Sequence, residues 1–130
     1  MNKILIIGQS LSMKFPNSLP WQKGASSKRL WKWFGVDDYD ELKNIAICKN
    51  INQFRNDYGI YSLIYDNNVN KVFLVGKTAQ EMFPYKFKNG VSIVRIESLV
   101  FCAIPHPSGL NVSCNYKDKK IIKTIKEALR

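Results

Sequence analysis

The sequence predicts an α/β sandwich built on a mostly parallel sheet. Three apolar, β-branched runs, residues 3–8 (KILIIG), 71–76 (KVFLVG) and 99–104 (LVFCAI), each end in Gly or in a Pro-rich turn. Segments with helical spacing or strong helix formers separate these runs. Continuous apolar runs that alternate with helices are typical of parallel strands covered by helices on their faces.

The first strand and first helix are separated by a long loop. The run 3–8 ends in Gly, and residues 9–26 then carry two Pro residues and several Ser and Asn residues, which predicts irregular structure. The following stretch, SSKRLWKWFG, has apolar residues at helical spacing. Ser26 or Ser27 is its predicted N-cap, and Gly35 its stop signal.

The middle of the chain predicts a second alternation of helix and strand. Residues 37–44 (DDYDELKN) form a predicted helix that leads into a strand at 45–51 (IAICKNI). Residues 53–68 fit either helix or strand, because Gly59 and the β-branched residues offset the helical spacing, and we favour a helix. The run 71–76 then repeats the pattern of a strand that ends in Gly.

The last third of the chain predicts a helix, one or two strands and a closing helix. KTAQEMF (77–83) is rich in helix formers, and VSIVRI (91–96) and LVFCAI (99–104) supply the last strand or strands. KDKKIIKTIKEALR (117–130) has the period of an amphipathic helix. The apolar face of that closing helix is expected to consist of Ile121, Ile122, Ile125, Ala128 and Leu129.

Length and cysteine usage place the chain among intracellular globular proteins. Its 130 residues suit one domain, 1–130, with a single core. Cys48, Cys102 and Cys114 are widely spaced and accompany one His, so neither a disulfide framework nor a zinc site is expected. The apolar run at the start is too short for a signal-peptide core. We therefore expect a soluble, cytoplasmic monomer without metal, cofactor or membrane association.

The charge distribution favours an anionic partner. The chain has 20 Lys and Arg against 10 Asp and Glu, a formal net charge of +10. Residues 1–36 carry basic side chains and no acidic one, whereas acidic residues cluster directly afterwards, at 37–41. Such a field attracts phosphate polymers irrespective of sequence. Nucleic acid is the expected partner.

Topology predicts where a ligand would bind before any motif is considered. In open parallel sheets the ligand site lies at the carboxyl ends of the strands. Residues 8–12, Gly76 and residues 106–111 each follow a predicted strand, so we expect them to converge at that edge.

The stretch PHPSGLN (105–111) holds the only histidine of the chain. Pro105 and Pro107 restrict the backbone on both sides of His106, so the imidazole is held on a stiff turn. Leu110 follows a Ser-Gly turn and is suited to act as a wedge between bases. The alternative is that Leu110 packs into the core and His106 only hydrogen-bonds a carbonyl group.

At these residues the sequence resembles the uracil-DNA glycosylase superfamily. HPSGLN (106–111) is similar to the second signature motif of that family, which has forms such as His-Pro-Ser-Pro-Leu-Ser. ILIIGQSLS, LPWQKGASSKRLWKWFG and VFLVGKTAQEMF match other family blocks in order. The resemblance implies a three-layer α/β/α sandwich with a mostly parallel four-stranded sheet, and excision of uracil or a modified pyrimidine from single- or double-stranded DNA.

The resemblance also implies roles for individual residues. His106 would donate a hydrogen bond to the base oxygen that gains charge, and Trp21 would stack on the flipped base, although a plain core tryptophan is the alternative. Leu110 would fill the vacated space in the duplex. The DNA-binding set would be Ser108, Gly109, Leu110 and Asn111, with Lys23, Lys28 and Arg29 supplying broader attraction.

The first family motif is where this sequence differs. Active relatives commonly carry Asp or Asn followed by Pro, whereas GQSLS places Ser10 there without the Pro. Gln9 or Ser10 would orient the water, or both would act only through their backbone, which together with Gly8 would contact the base. Asn50 and Asn52 are the two candidates for the base-reading amide, and an ordinary turn role is the alternative for each.

Two other functions compete with a DNA glycosylase. One is a catalytically silent member of the same fold that binds nucleic acid or a free base, which the serine at position 10 favours. The other is an unrelated nucleotide- or phosphate-binding α/β protein that uses the turns GQSLS and VGKTAQ. VGKT lacks the upstream Gly of a phosphate-binding loop, so that signal is weak.

Overall fold

The protein folds around one mixed sheet of five described strands, as a computed structural model shows. The structure describes residues 3–8, 17, 19–54, 56–83, 87, 91–107 and 118–130. The strands are β1 (Lys3–Gly8), β2 (Ala46–Asn50), β3 (Val69–Val75), β4 (Ser92–Ile96) and β5 (Leu99–Ile104).

The strand order is β2-β1-β3-β5-β4. β1 pairs in parallel with both β2 and β3, and β3 pairs in parallel with β5. The edge strand β4 runs antiparallel to β5. The prediction of an α/β fold with a mostly parallel sheet is therefore confirmed. The predicted number of four strands is wrong, because VSIVRI and LVFCAI form two separate strands joined as a hairpin.

Helices cover the sheet. They are α1 (Ala25–Trp33), α2 (Tyr39–Ile45), α3 (Asp57–Asp66), α4 (Lys77–Glu81) and α5 (Asp118–Leu129), with a short 3-10 turn at Ile51–Gln53. Among the described residues, no helix is long and apolar enough to cross a membrane.

Alternate strand residues divide the core into two clusters. On one face, Ile6 and Phe73 belong to the same cluster as residues from α1, α2 and α5. On the other face, Leu5 and Leu74 pack with residues from α3 and α4. Side chains that alternate along a strand point to opposite faces of the sheet, which explains why β1 and β3 are buried on both sides.

Two local expectations need correction, and one is confirmed. Helix α1 begins after Gly24 as its N-cap, and Ser27 lies buried inside the helix, where its hydroxyl donates to the Lys23 carbonyl oxygen at 2.7 Å. The apolar face of α5 excludes Leu129, which is 39 % exposed. The ambiguous segment 53–68 contains helix α3, whose N-cap Asn56 accepts from the Tyr58 N–H, as we favoured.

The strand order of the sheet reverses between β1 and β3. The strands β1 and β3 are neighbours. The strand that follows β1 in the chain, β2, lies on one side of this pair, and the strands that follow β3, which are β4 and β5, lie on the other side. Ligand sites of open α/β sheets lie at such a reversal of strand order. Gly8 and Gly76 stand directly at this point, one at the end of each strand.

Candidate functional site

The end of β1 carries a tryptophan packed directly on glycine. A Cβ atom added at Gly8 would lie 2.7 Å from Cζ2 and 3.1 Å from Cε2 of Trp21. It would also lie 3.2 Å from Oδ1 of Asn50, the last residue of β2. Glycine is therefore required at position 8 for space, and it lets the indole and the amide approach the same strand end.

The turn after β3 brings His106 to the same edge. Gly76 has φ +89°, a backbone conformation that favours glycine, and a Cβ there would lie 3.5 Å from Cβ of His106. The Gly76 N–H donates to the carbonyl oxygen of Ile104 at 2.9 Å. The prolines on either side of His106 follow this anchored strand end, so the imidazole is placed against the Gly76 turn.

Gln80 reinforces that anchor from α4. Its Nε2 donates to the carbonyl oxygens of Ile104 at 3.1 Å and Leu74 at 3.3 Å, which ties the ends of β3 and β5 together. Sequence reasoning did not identify this residue, because a glutamine in a short helix gives no signal of the strand ends it will bridge.

The rings of Trp21 and His106 lie next to each other. Their centroids are 5.6 Å apart and their planes are tilted by 43°. Burial lowers the pKa of the His106 imidazole below its ordinary value of 6.5. The imidazole is therefore neutral at physiological pH, a state in which one ring nitrogen donates and the other accepts.

Trp21 is held in an uncommon backbone conformation. Its φ is +62°, which is costly for a residue with a side chain. The Trp31 indole N–H donates to the Trp21 carbonyl oxygen at 2.8 Å and so fixes this conformation from α1. The Trp21 Nε1 is buried and has no hydrogen-bond partner among the described residues. An unpaired buried donor typically costs about 1–3 kcal/mol.

The two predicted asparagines occupy different environments. Asn50 is only 3 % exposed and lies against the end of β1, with its N–H donating to Oε1 of Gln53 at 2.7 Å. Asn52 lies on the 3-10 turn and is exposed. Asn50 is thus the amide that the fold brings to Trp21 and Gly8.

The predicted cationic residues also differ in their surroundings. Lys23 and Lys28 are exposed on or beside α1. Arg29 instead forms an ion pair with Asp118, its Nη2 and Nε lying 3.0 and 3.1 Å from Oδ1. Trp33 Nε1 donates to the same oxygen at 2.7 Å, so this arginine joins α1 to α5.

Several predicted residues lie outside the described part of the chain. They are Gln9 and Ser10 of the first motif, and Ser108, Gly109, Leu110 and Asn111 of the second. The convergence of the described residues, Gly8, Gly76 and His106, at the carboxyl edge is as topology predicted.

Three other chemistries find little support in the described residues. Burial raises the pKa of the Cys48 and Cys102 thiols to about 12, so neither is a thiolate nucleophile at neutral pH. Across the described ranges, no group of three or more His, Cys, Asp or Glu side chains is placed to hold a metal ion. The Gly76 N–H is used within the fold, which removes one donor from the VGKT turn proposed for phosphate.

No protein-family model matches this sequence, and no curated protein is significantly similar to it.

Proposed function

We propose that this protein is a DNA glycosylase with a uracil-DNA-glycosylase-like fold, which flips out uracil or a modified pyrimidine and hydrolyses its N-glycosidic bond. The observation that carries the proposal is the convergence of three chemically distinct side chains at the carboxyl edge of the sheet. An imidazole, an indole and a buried amide, from His106, Trp21 and Asn50, meet around Gly8 and Gly76.

His106 supplies the electrostatic part of the mechanism. As the bond between C1′ of the sugar and N1 of the base breaks, its electron pair moves into the base. Water adds to C1′, and the proton that the water loses is taken up by the departing base anion. A neutral imidazole donates a hydrogen bond to the base oxygen that gains this charge, without placing a full positive charge in a partly buried site. The lowered pKa of His106 favours that neutral donor.

Trp21 and Asn50 supply recognition. A flipped base loses its stacking in DNA at a cost of a few kcal/mol, which a pocket must recover by stacking and hydrogen bonding. The Trp21 indole is suited to stack on the base beside His106. The Asn50 side chain already accepts from the Gln53 backbone in the capping box of the 3-10 turn, and its nearly fully buried amide would present its donor and its remaining acceptor capacity to a pyrimidine edge.

DNA contact is assigned to the positive charge of the chain. The formal net charge of +10 and the exposed Lys23 and Lys28 favour phosphate binding. The resemblance to the uracil-DNA glycosylase superfamily assigns Ser108 and Gly109 to contacts with the phosphates beside the lesion, and Leu110 to the vacated space in the duplex. Arg29 contributes chiefly through its ion pair with Asp118.

A second candidate is a catalytically silent protein of the same fold that binds nucleic acid or a free base. The sequence of the first motif favours it, because Ser10 stands where active relatives commonly have Asp or Asn. Serine is a poor general base. The His106, Trp21 and Asn50 arrangement suits base binding in both candidates.

One assay separates the two candidates. Labelled oligonucleotides that carry uracil, hydroxymethyluracil or other altered pyrimidines are incubated with the protein and then treated with alkali, which cleaves at abasic sites. We expect cleavage of at least one substrate, and a loss of about 10²–10³ in rate for His106→Ala, the usual effect of removing one donor to a developing oxyanion.

The control for that assay is Asn67→Ala, since Asn67 caps the C-terminal end of α3 and lies just before the start of β3, at the edge of the sheet opposite the carboxyl ends of the parallel strands. Its rate should equal that of the wild-type protein. Tight binding without abasic product across the panel would support the silent candidate and overturn the enzyme. Cleavage that persists unchanged in His106→Ala would overturn the mechanism.

A further inference from the structure

A depression of about 470 Å³ lies along α1 and the turn after it. Its volume is within the range of sites that hold small ligands, roughly 300–1,000 Å³. It is lined by Lys28, Trp31, Lys32, Gly35, Val36 and Asp37.

The cations of this depression are placed as a pair. Lys28 and Lys32 are four residues apart on α1, so their side chains share one face of the helix. Both are exposed, and no described carboxylate forms an ion pair with either. Asp37 is the single acidic side chain in the lining, which leaves the depression net positive.

Trp31 connects the depression with the candidate site. Its side chain lines the depression, and its indole N–H donates to the Trp21 carbonyl oxygen at 2.8 Å. The hydrogen-bonding capacity of this indole is therefore used to hold Trp21, and its ring offers only an aromatic surface to an occupant.

We propose that this depression is a binding subsite for a nucleotide of the strand that flanks the flipped base. This rests on the function proposed above. Lys28 and Lys32 bind consecutive backbone phosphates, and the Trp31 ring stacks on a base. Positive charge beside an aromatic ring is the combination that single-stranded nucleic acid binds, largely without sequence preference.

Occupancy of this subsite has a consequence for Trp21. The Trp31 indole that would stack on the flanking base also holds the Trp21 backbone at φ +62°. A nucleotide that immobilises Trp31 therefore stabilises the conformation in which Trp21 faces His106. Oligonucleotides long enough to reach α1 should bind more tightly than a short fragment that carries only the target base.

The test measures the affinity for a single-stranded oligonucleotide at several salt concentrations. We expect the paired variant Lys28→Ala, Lys32→Ala to reduce the slope of log affinity against log salt by about 1.4, about 0.7 for each lost phosphate contact. The matched control is Lys123→Ala, Lys126→Ala, two exposed cations on one face of α5. This control variant removes the same charge, and its slope of log affinity against log salt should stay closer to that of the wild-type protein.

Substitutions at Trp31 test the stacking part. Trp31→Phe and Trp31→Ala both lose the hydrogen bond to the Trp21 carbonyl oxygen, so the two variants are compared with each other on an oligonucleotide without a target base, which does not engage Trp21. Trp31→Phe keeps an aromatic ring and should bind about tenfold more tightly than Trp31→Ala, the effect of one base stack. Thermal melts of each variant serve as the control for retention of the fold. Equal losses for Trp31→Phe and Trp31→Ala would contradict stacking.

The outcomes distinguish failure of the subsite from failure of the proposed function. If the wild-type protein binds nucleic acid but the α1 and α5 lysine pairs lose equal affinity and slope, the subsite is overturned and the glycosylase proposal stands. If the wild-type protein binds no oligonucleotide, DNA recognition as a whole is wrong.

Discussion

The indole of Trp21 and the imidazole of His106 lie with their centroids 5.6 Å apart at the carboxyl edge of the sheet. Two glycines make this neighbourhood possible. Gly8 leaves room for the indole, and Gly76 adopts φ +89°, a backbone conformation that favours glycine, in the turn against which His106 lies. A neutral donor beside an aromatic ring is an arrangement suited to binding a base on which charge develops.

The pH dependence of stability should report the burial of His106. Burial lowers its pKa in the folded state below the ordinary value of 6.5, so the unfolded chain binds the proton more readily. Stability should therefore be full above pH 6.5 and decline as the pH falls from there to the folded pKa. His106→Gln should remove that decline in urea titrations.

The titration itself can be followed directly. Because His106 is the only histidine, its imidazole C–H signal in proton NMR is unambiguous. A midpoint at or above 6.5 would contradict the burial that the site requires.

Gly8→Ala should disturb the site through a direct clash. Its methyl group would stand 2.7 Å from Cζ2 of Trp21, so the indole must move. We expect a loss of about 1–3 kcal/mol in the free energy of unfolding, typical of overpacking, together with a loss of base excision. Chemical denaturation and the excision assay measure the two effects.

The matched control is Gly59→Ala on α3. Its methyl group would lie 3.1 Å from Cδ1 of Phe54, a tight contact but a milder one than that at Gly8, and neither Trp21 nor His106 is among its near neighbours. Activity should be retained. Equal activities for Gly8→Ala and Gly59→Ala would mean that Trp21 need not lie on Gly8 for function.

The two asparagines near the end of β2 should differ in effect. Asn50→Ala removes a buried amide beside Gly8 and should reduce excision of the preferred base about tenfold or more, the value of a good bidentate contact. Asn52→Ala changes an exposed side chain and should leave both excision and stability near wild type. Excision rates of the two variants are compared on the same substrates. A larger loss for Asn52→Ala than for Asn50→Ala would mean that Asn52 recognises the base.

Trp21→Phe and Trp33→Phe make the same chemical change with different expected costs. Trp33 Nε1 donates to Asp118 Oδ1 at 2.7 Å, so its loss leaves a carboxylate short of a donor. Trp21 Nε1 has no described partner, so removing it relieves an unsatisfied donor. Trp33→Phe should be the more destabilising by about 1–2 kcal/mol in denaturant unfolding. Equal costs would mean that the Trp21 N–H is paired in solution.

The sequence was sufficient to place most strands and helices. Apolar runs that end in Gly predicted β1 and β3, and the helical period predicted α1 and α5. Residues 91–96 were expected in the last strand or strands, but their separate antiparallel pairing was not predicted, because Glu97 and Ser98 lack the Gly or Asn that is typical of a tight hairpin. Only these two residues separate β4 from β5, whereas a connection between parallel strands needs about a dozen residues. The short spacing therefore predicts an antiparallel hairpin.

The location of the site was also predictable, whereas its supporting contacts were not. Strand order places His106 and Gly8 at one edge by topology alone. The ion pair of Arg29 joins residues far apart in the chain, so no local pattern distinguishes it from a phosphate-binding arginine. The positive φ of Trp21 and its bond from Trp31 depend on how the loop packs on α1.

The most direct test is to observe which side chains meet the base. An oligonucleotide with the 2′-fluoro analogue of the nucleotide that the protein excises in the assay resists hydrolysis, because fluorine destabilises positive charge at C1′. It is titrated into ¹⁵N-labelled protein beside an otherwise identical thymidine control. We predict that the Trp21 indole N–H and the His106 imidazole signals shift with the analogue and not with thymidine, while the Trp33 indole N–H is unaffected. Signals of Trp21 and His106 that remain unchanged at saturation would contradict a base-binding site between them.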